Sequence, residues 1–301
     1  MPLRWIRDRL ERWMLYLVLV VGGLALWFPA PGRTVDHGDT VYVTLAALVF
    51  TAGLTVDFAS LRRTRSAGWR LLGALAASTV LFPLFAWGLS RLVDGQLRDA
   101  LLAVGVAPSE VASLALVSLG AGDVVMAAVL VLGSTVITIL VAGPILSVLS
   151  TASHLNTIGL GGTLVIVVAL PLVLGALVGA RLGSGGVGRV IGGIFGSLVL
   201  LLLIWEVASQ VRLAPVYLVG VALLVVFVTG SALIGVAVST GAPRATRTGI
   251  VLPVAIRDFA IAAGIATAAF GAASTGLLGI YGLLVLVLGT LASRWLAHPS
   301  S

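Results

Sequence analysis

The sequence predicts an all-α polytopic membrane protein of about ten transmembrane helices, arranged as two inverted five-helix repeats. Three observations predict it. Of 301 residues, 59% are hydrophobic and 10% charged, with a mean hydropathy of +1.18. Apolar segments of bilayer-crossing length recur along the chain. Two of those segments carry charges near their middle, each a few residues after a proline. A hydrocarbon core needs about 20 apolar residues per helix, so a chain of this length holds about ten and leaves no sizeable soluble domain.

The apolar segments run over 13–30, 40–58, 69–90, 99–120, 123–149, 160–181, 188–208, 215–238, 248–271 and 275–296. The stretch MPLRWIRDRLERW at the start is basic and amphipathic, and the apolar run after it lacks a small-residue cleavage site. It reads as a short cytoplasmic segment, 1–12, leading into a retained first helix. The first five-helix repeat then covers 13–150 and the second, inverted one 160–296.

Loop arginines set the orientation. A cytoplasmic N-terminus places Arg4, Arg7, Arg9, Arg12, Arg62, Arg63, Arg65, Arg70, Arg181, Arg189, Arg244, Arg247 and Arg294 inside, against Arg33, Arg91, Arg98 and Arg212 outside. Ten crossings return the C-terminus to the cytoplasmic side, and the expected location is a bacterial inner membrane. Trp5, Trp13, Trp27, Trp69 and Trp295 fall where interface anchors belong. The net charge of +7 comes from arginines spread over many loops. Its natural partner is the anionic leaflet of the bilayer, and no nucleic acid is expected.

The interrupted segments are the fourth and the ninth. Glu110 follows Pro108, and the pair Arg257–Asp258 follows Pro253. A charge at mid-membrane costs about 2.5–3.5 kcal/mol on insertion scales, so such a residue marks function by default. The prolines predict helices that break, freeing backbone groups that must face protein or water. With Pro108 set over Pro253, Ser113 falls opposite Asp258, and an odd offset of segments runs the two in opposite directions, as inverted repeats do. Paired broken helices are the mark of a secondary transporter.

Other chemistries find little support. Without cysteine there are no disulfides, thiolate metal sites or cysteine nucleophiles. His37, His154 and His298 lie in loops or the tail and lysine is absent, so an intramembrane hydrolase lacks its base. Asp36, His37 and Asp39 share one loop and read as solvated residues, not a metal site. No enzyme activity, metal or cofactor is expected. Asp123 reads as a helix N-cap, Asp57 as an interfacial partner of Arg62 or Arg63, and Glu206 as a side chain snorkelling beside Trp205.

Several stretches together carry a family resemblance: FTAGLTVDF at 50–58, VLFPLFAWGLSRL at 80–92, APSEVASLALVSLGAGD at 107–123, VVALPLVLGALVGARL at 167–182, and RTG followed by PVAIRDFAIAAGIATAAF over 247–270. In order and spacing they resemble the bile acid/sodium symporter superfamily. The resemblance implies a panel domain of helices 1, 2, 6 and 7 and a core domain of helices 3–5 and 8–10. Helices 4 and 9 would unwind and cross near mid-membrane beside the ion and substrate sites. Together with the charges and prolines already singled out, it leaves Ser78, Ser109, Glu110, Ser113, Arg257, Asp258 and Tyr281 as the candidate substrate- and ion-binding residues, with Pro108 and Pro253 at the helix breaks; Tyr281 reads equally as a cavity-lining or a packing residue.

The departures from the family pattern bear on coupling. Sodium-coupled members carry Ser-Asn where this chain has Ser113 and Leu114, and hydroxyls where it has Ala127 and Val131. Their Glu-x-x-x-Gln-Asn aligns with Pro253, Arg257 and Asp258, and a glutamine aligns with Ser78. Sodium wants several oxygen ligands, which these side chains do not supply, so sodium coupling is doubtful. A permanently charged Arg257 could stand in for the ion. Its expected partner is Glu110 or Asp258, and the carboxylate left over is the candidate to carry a proton or face the substrate. The three charges read either as an ion-pair brace between the crossing helices or as a transport site.

The expected function is secondary active transport of a small organic anion by alternating access, uncoupled or proton-coupled. Broken-helix N-termini and a guanidinium both suit a carboxylate. The related arsenite carriers generally rely on a cysteine in the fourth segment, which this chain lacks. A cation/proton antiporter of similar architecture and a non-transporting receptor or scaffold are the alternatives.

Overall fold

The computed structural model describes residues 2–29, 39–54, 68–150, 156–182, 187–209 and 215–297. Asp36, His37, Asp57, Arg33, Arg62, Arg63, Arg65, Arg212, His154 and His298 lie outside the described residues, as do the side chains of Arg4, Trp5, Arg7, Arg12, Arg189 and Arg294. The described chain is all-helical. This is the expected outcome for valine- and leucine-rich segments in lipid, where each backbone polar group must be satisfied within its own segment.

The helices are α1 (Pro2–Trp27), α2 (Asp39–Leu54), α3 (Gly68–Ser90), α4 (Gly95–Val106), α5 (Ser113–Leu119), α6 (Val124–Leu149), α7 (Thr157–Leu182), α8 (Val187–Ser209), α9 (Val216–Val238), α10 (Arg244–Ala255), α11 (Phe259–Phe270) and α12 (Gly276–Ala297). Among the described residues, six stretches are long and apolar enough to cross a membrane: Gly68–Ser90, Val124–Leu149, Thr157–Leu182, Gly192–Ser209, Tyr217–Val238 and Ala272–Ser293. Tyr16–Trp27, Thr40–Leu54 and Phe259–Phe270 are shorter apolar helices. The protein is an integral membrane protein. Large apolar side chains such as Leu72, Leu140, Val148, Leu218 and Leu233 face outward, as a lipid-facing surface requires.

Two helices are breached by proline in the same way. In α3 a π-turn over Ala77–Leu81 precedes Pro83. In α7 a π-turn over Val165–Ala169 precedes Pro171. Each absorbs the missing amide by shifting the hydrogen bonds by one residue.

α2 packs on α7 and α8, and α1 on α8. The α2–α7 approach is set by glycine: a Cβ at Gly53 would lie 2.5 Å from the Leu172 carbonyl oxygen, and one at Gly179 2.6 Å from that of Leu54. Small residues let membrane helices approach this closely. The broken helices lie inside the bundle. Residues Thr248–Ala255 of α10 and Phe259–Thr267 of α11 are all buried, as are Ala100–Val106 of α4. That is where irregular backbone at membrane depth is tolerated.

Asp123 accepts the Met126 amide at 3.0 Å and caps α6, as its position in GAGD predicts. Trp13, Trp27, Trp69 and Trp295 are exposed. Glu206 corrects the sequence reading: it is 4% exposed and its Oε1 accepts from Thr44 at 3.3 Å. A side chain that finds a hydroxyl on a neighbouring helix has no need to reach the interface.

Candidate functional site

The two breaks meet. α4 ends when Ala107 turns to extended backbone, φ −63° and ψ 152°. α10 ends at Ile256, φ −112° and ψ 118°. The freed segments pair as an isolated antiparallel bridge between Ser109 and Arg257. The Glu110 amide donates to the Ile256 carbonyl at 3.0 Å, and the Asp258 amide to the Pro108 carbonyl at 2.8 Å. Each break thus supplies the donors and acceptors that the other lost, which removes the cost of unpaired backbone at this depth. Pro108 lies within its break; Pro253 sits inside α10, and the helix runs on to Ala255 before it opens.

α6 completes the junction. Thr138 Oγ1 donates to the Val106 carbonyl at 3.1 Å, and Ser134 Oγ accepts the Ser109 amide at 3.0 Å. Helix ends leave such groups without intrahelical partners, and here two hydroxyls one turn apart take one from each side of the break. Sequence comparison with the family directs attention to Ala127 and Val131 on this helix. Ser134 and Thr138 are the residues it misses, and their i, i+4 spacing opposite a proline break is the signal that could have found them.

The carboxylates serve helix ends. Asp258 is the N-cap of α11, its Oδ1 2.8 Å from the Ile261 amide. Glu110 reaches across the bridge: Oε2 accepts the Phe259 amide of α11 at 3.3 Å, and Oε1 accepts the Ala112 amide at the entrance to α5 at 3.3 Å. Both are buried. Negative charge is stabilised at a helix N-terminus by its unpaired amides and dipole.

The expected ion pair with Arg257 does not form: neither carboxylate lies within 4.0 Å of the guanidinium. The reason is geometric. Successive side chains of an extended segment point to opposite sides, so Arg257 and Asp258 diverge. Asp258 turns to α11, while Arg257 crosses to α3. There its Nη1 donates to Ser78 Oγ at 3.1 Å and its Nη2 to the Ser78 carbonyl at 3.5 Å. The guanidinium carbon lies 5.0 Å from the Phe82 ring centroid, in cation–π range. Nε has no partner, and the residue is only 1% exposed.

Tyr281 of α12 is fully buried, and its hydroxyl accepts the Arg257 amide at 3.0 Å. Ser113, at the start of α5, has a buried hydroxyl with no partner. Thus Ser78, Ser109, Arg257 and Tyr281 are joined by direct bonds or the bridge, Glu110 and Asp258 share the α11 terminus, and Ser113 joins the others only through its amide, which donates to the Glu110 carbonyl at 3.1 Å. Beside Ser78 lies a narrow, partly open crevice, walled by Ser78, Thr79, Ser134 and Thr138 on its polar side and by Ile137 and Val141 among its apolar residues. Among the described residues no group of three or more acids and histidines is placed to hold a metal ion.

Comparison with known proteins gives two similarities. The uncharacterized protein YbaS of Bacillus subtilis (strain 168) is 30% identical over 136 residues, 44% of this chain and 44% of that protein. The chain therefore matches less than half the length of that relative. Residues 42–184, which contain the first break and Ser78 but not the second break, match the Sodium Bile acid symporter family, the family that the sequence motifs resemble.

Proposed function

We propose that this protein is a secondary transporter of a small organic anion that works by alternating access without sodium, with Arg257 supplying the positive charge at the crossing. The observation that carries this reading is the separation of charges. Glu110 and Asp258 are both engaged by backbone amides of α11 and α5, whereas Arg257 is held by neutral oxygens of Ser78 and keeps Nε open. A buried guanidinium without a carboxylate is an incomplete pair, and an incoming carboxylate completes it. The family match over residues 42–184 supports a transporter. Ten crossings, with the helices divided into panel and core, are the architecture in which this reading operates.

The helix termini play a different part from the one expected from sequence. The amides at the starts of α5 and α11 already carry the protein's own carboxylates, so anion recognition falls to the guanidinium. Glu110, which bridges both half-helices, is the acid proposed to exchange a proton during transport, because neutralising it loosens both termini at once.

The test is counterflow in proteoliposomes with a panel of labelled carboxylates, run in sodium and in choline. Saturable exchange of at least one carboxylate at equal rates in both salts is expected. No exchange of any carboxylate, together with exchange of sodium for protons, would replace this reading by a cation/proton antiporter.

A further inference from the structure

In a regular α-helix the Ser78 carbonyl accepts from the amide four residues on, that of Phe82. The π-turn diverts that donor: the Phe82 amide bonds the Ala77 carbonyl. Under the π pattern the next amide for Ser78 belongs to residue 83, and Pro83 has none. Ser78 is therefore stripped of both intrahelical donors, in a residue only 7% exposed. Arg257 brings the missing donor from the crossing, Nη2 to the carbonyl and Nη1 to the hydroxyl. Phe82, the residue between the turn and the proline, lays its ring against the same guanidinium.

We propose that Pro83 is a positioning residue: by denying Ser78 an intrahelical partner it turns the π-turn of α3 into a berth for the guanidinium of Arg257. The berth fixes where the buried cation of the crossing sits, and ties α3 to the second break through one side chain. Its use in transport rests on the reading of Arg257 given above; its existence does not. Replacing Pro83 by alanine returns an amide to position 83. Ser78 then recovers a helical donor, and Arg257 loses its claim on the carbonyl.

The experiment is arginine labelling by phenylglyoxal on the purified full chain, followed peptide by peptide by mass spectrometry. The chain contains neither lysine nor cysteine, so few other side chains compete for the reagent. In the wild type, Arg257 should label far more slowly than the exposed Arg91 and Arg247. Pro83→Ala should raise labelling of Arg257 by about tenfold, the order expected on losing a hydrogen bond to a charged group, and leave Arg91 and Arg247 unchanged. Ser78→Ala removes the shorter of the two contacts and should raise it at least as far, and Pro83→Gly, which also returns an amide, carries the test if Pro83→Ala does not fold. Phe85→Ala, in the same helix as Pro83, controls for general loosening, since it removes the stacking of Phe85 on Phe227 of α9 without restoring an amide; it should leave Arg257 at the wild-type rate. The proposal is overturned if a folded Pro83→Ala labels Arg257 like wild type, whatever Ser78→Ala does, or if Phe85→Ala labels Arg257 as fast as Pro83→Ala. Failure of the transport reading alone would look different: no carboxylate would be carried, with this labelling pattern intact.

Discussion

Arg257 Nη1 lies 3.1 Å from Ser78 Oγ, so the buried cation of the second break is held by the third hydrophobic segment and not by the acid beside it in sequence. This contact separates two accounts of the charged crossing. A brace between the crossing helices requires carboxylate and guanidinium in contact. An anion site requires a guanidinium whose charge is still uncompensated. The first account predicts a loss of about 3–5 kcal/mol when one partner of a buried pair is removed. The second predicts only the loss of hydrogen bonds to a charged group, about 1.5–3 kcal/mol.

Asp258 distinguishes them first. As an N-cap it should tolerate asparagine, which caps nearly as well, while Asp258→Ala costs about 0.5–2 kcal/mol. Thermal unfolding in detergent measures both. Equal and larger losses for the two variants would show that Asp258 is needed as a charge opposite Arg257.

Ser134 and Thr138 should matter to stability although neither is charged. Thr138→Val leaves the Val106 carbonyl without its donor, and Ser134→Ala leaves the Ser109 amide without its acceptor. Each should cost about 1–3 kcal/mol, the penalty for a stranded buried polar group. Unchanged unfolding temperatures for both would mean that α6 does not cap the break.

Much of this site was legible in the sequence, and the missing part has a common cause. Segment limits follow from composition, so 69–90, 123–149 and 215–238 fall within a few residues of α3, α6 and α9. Proline and charge located both breaks, which meet in the Ser109–Arg257 bridge. Pairing of side chains was not legible. Arg257 and Asp258 are neighbours in sequence, which invites an ion pair, but extended backbone sends them apart. Glu206 sits beside a tryptophan near a helix end and still finds Thr44 inside the bundle. In both cases the deciding partner lies on another helix, more than 100 residues away.

Transport should respond to protons through Glu110. With one guanidinium and two carboxylates at the crossing, uptake of the anion should be faster with acid outside than with equal pH on both sides. Glu110→Gln should abolish that acceleration and still permit exchange, since the amide can accept the Phe259 amide as the carboxylate does. Initial rates across imposed pH steps test this. A Glu110→Gln protein that keeps the wild-type response would remove Glu110 from the proton's path.

The central claim, that Arg257 replaces sodium as the cation of the crossing, is tested most directly by Arg257→Gln. Initial rates of counterflow of the best carboxylate in the panel would be measured for wild type and variant, in sodium and in choline. The account predicts a wild type indifferent to the salt and a folded variant slowed by at least about tenfold in choline, the effect of losing about 1.4 kcal/mol of binding. Wild-type transport that depends steeply on sodium, or an Arg257→Gln protein as fast as wild type in choline, would contradict it.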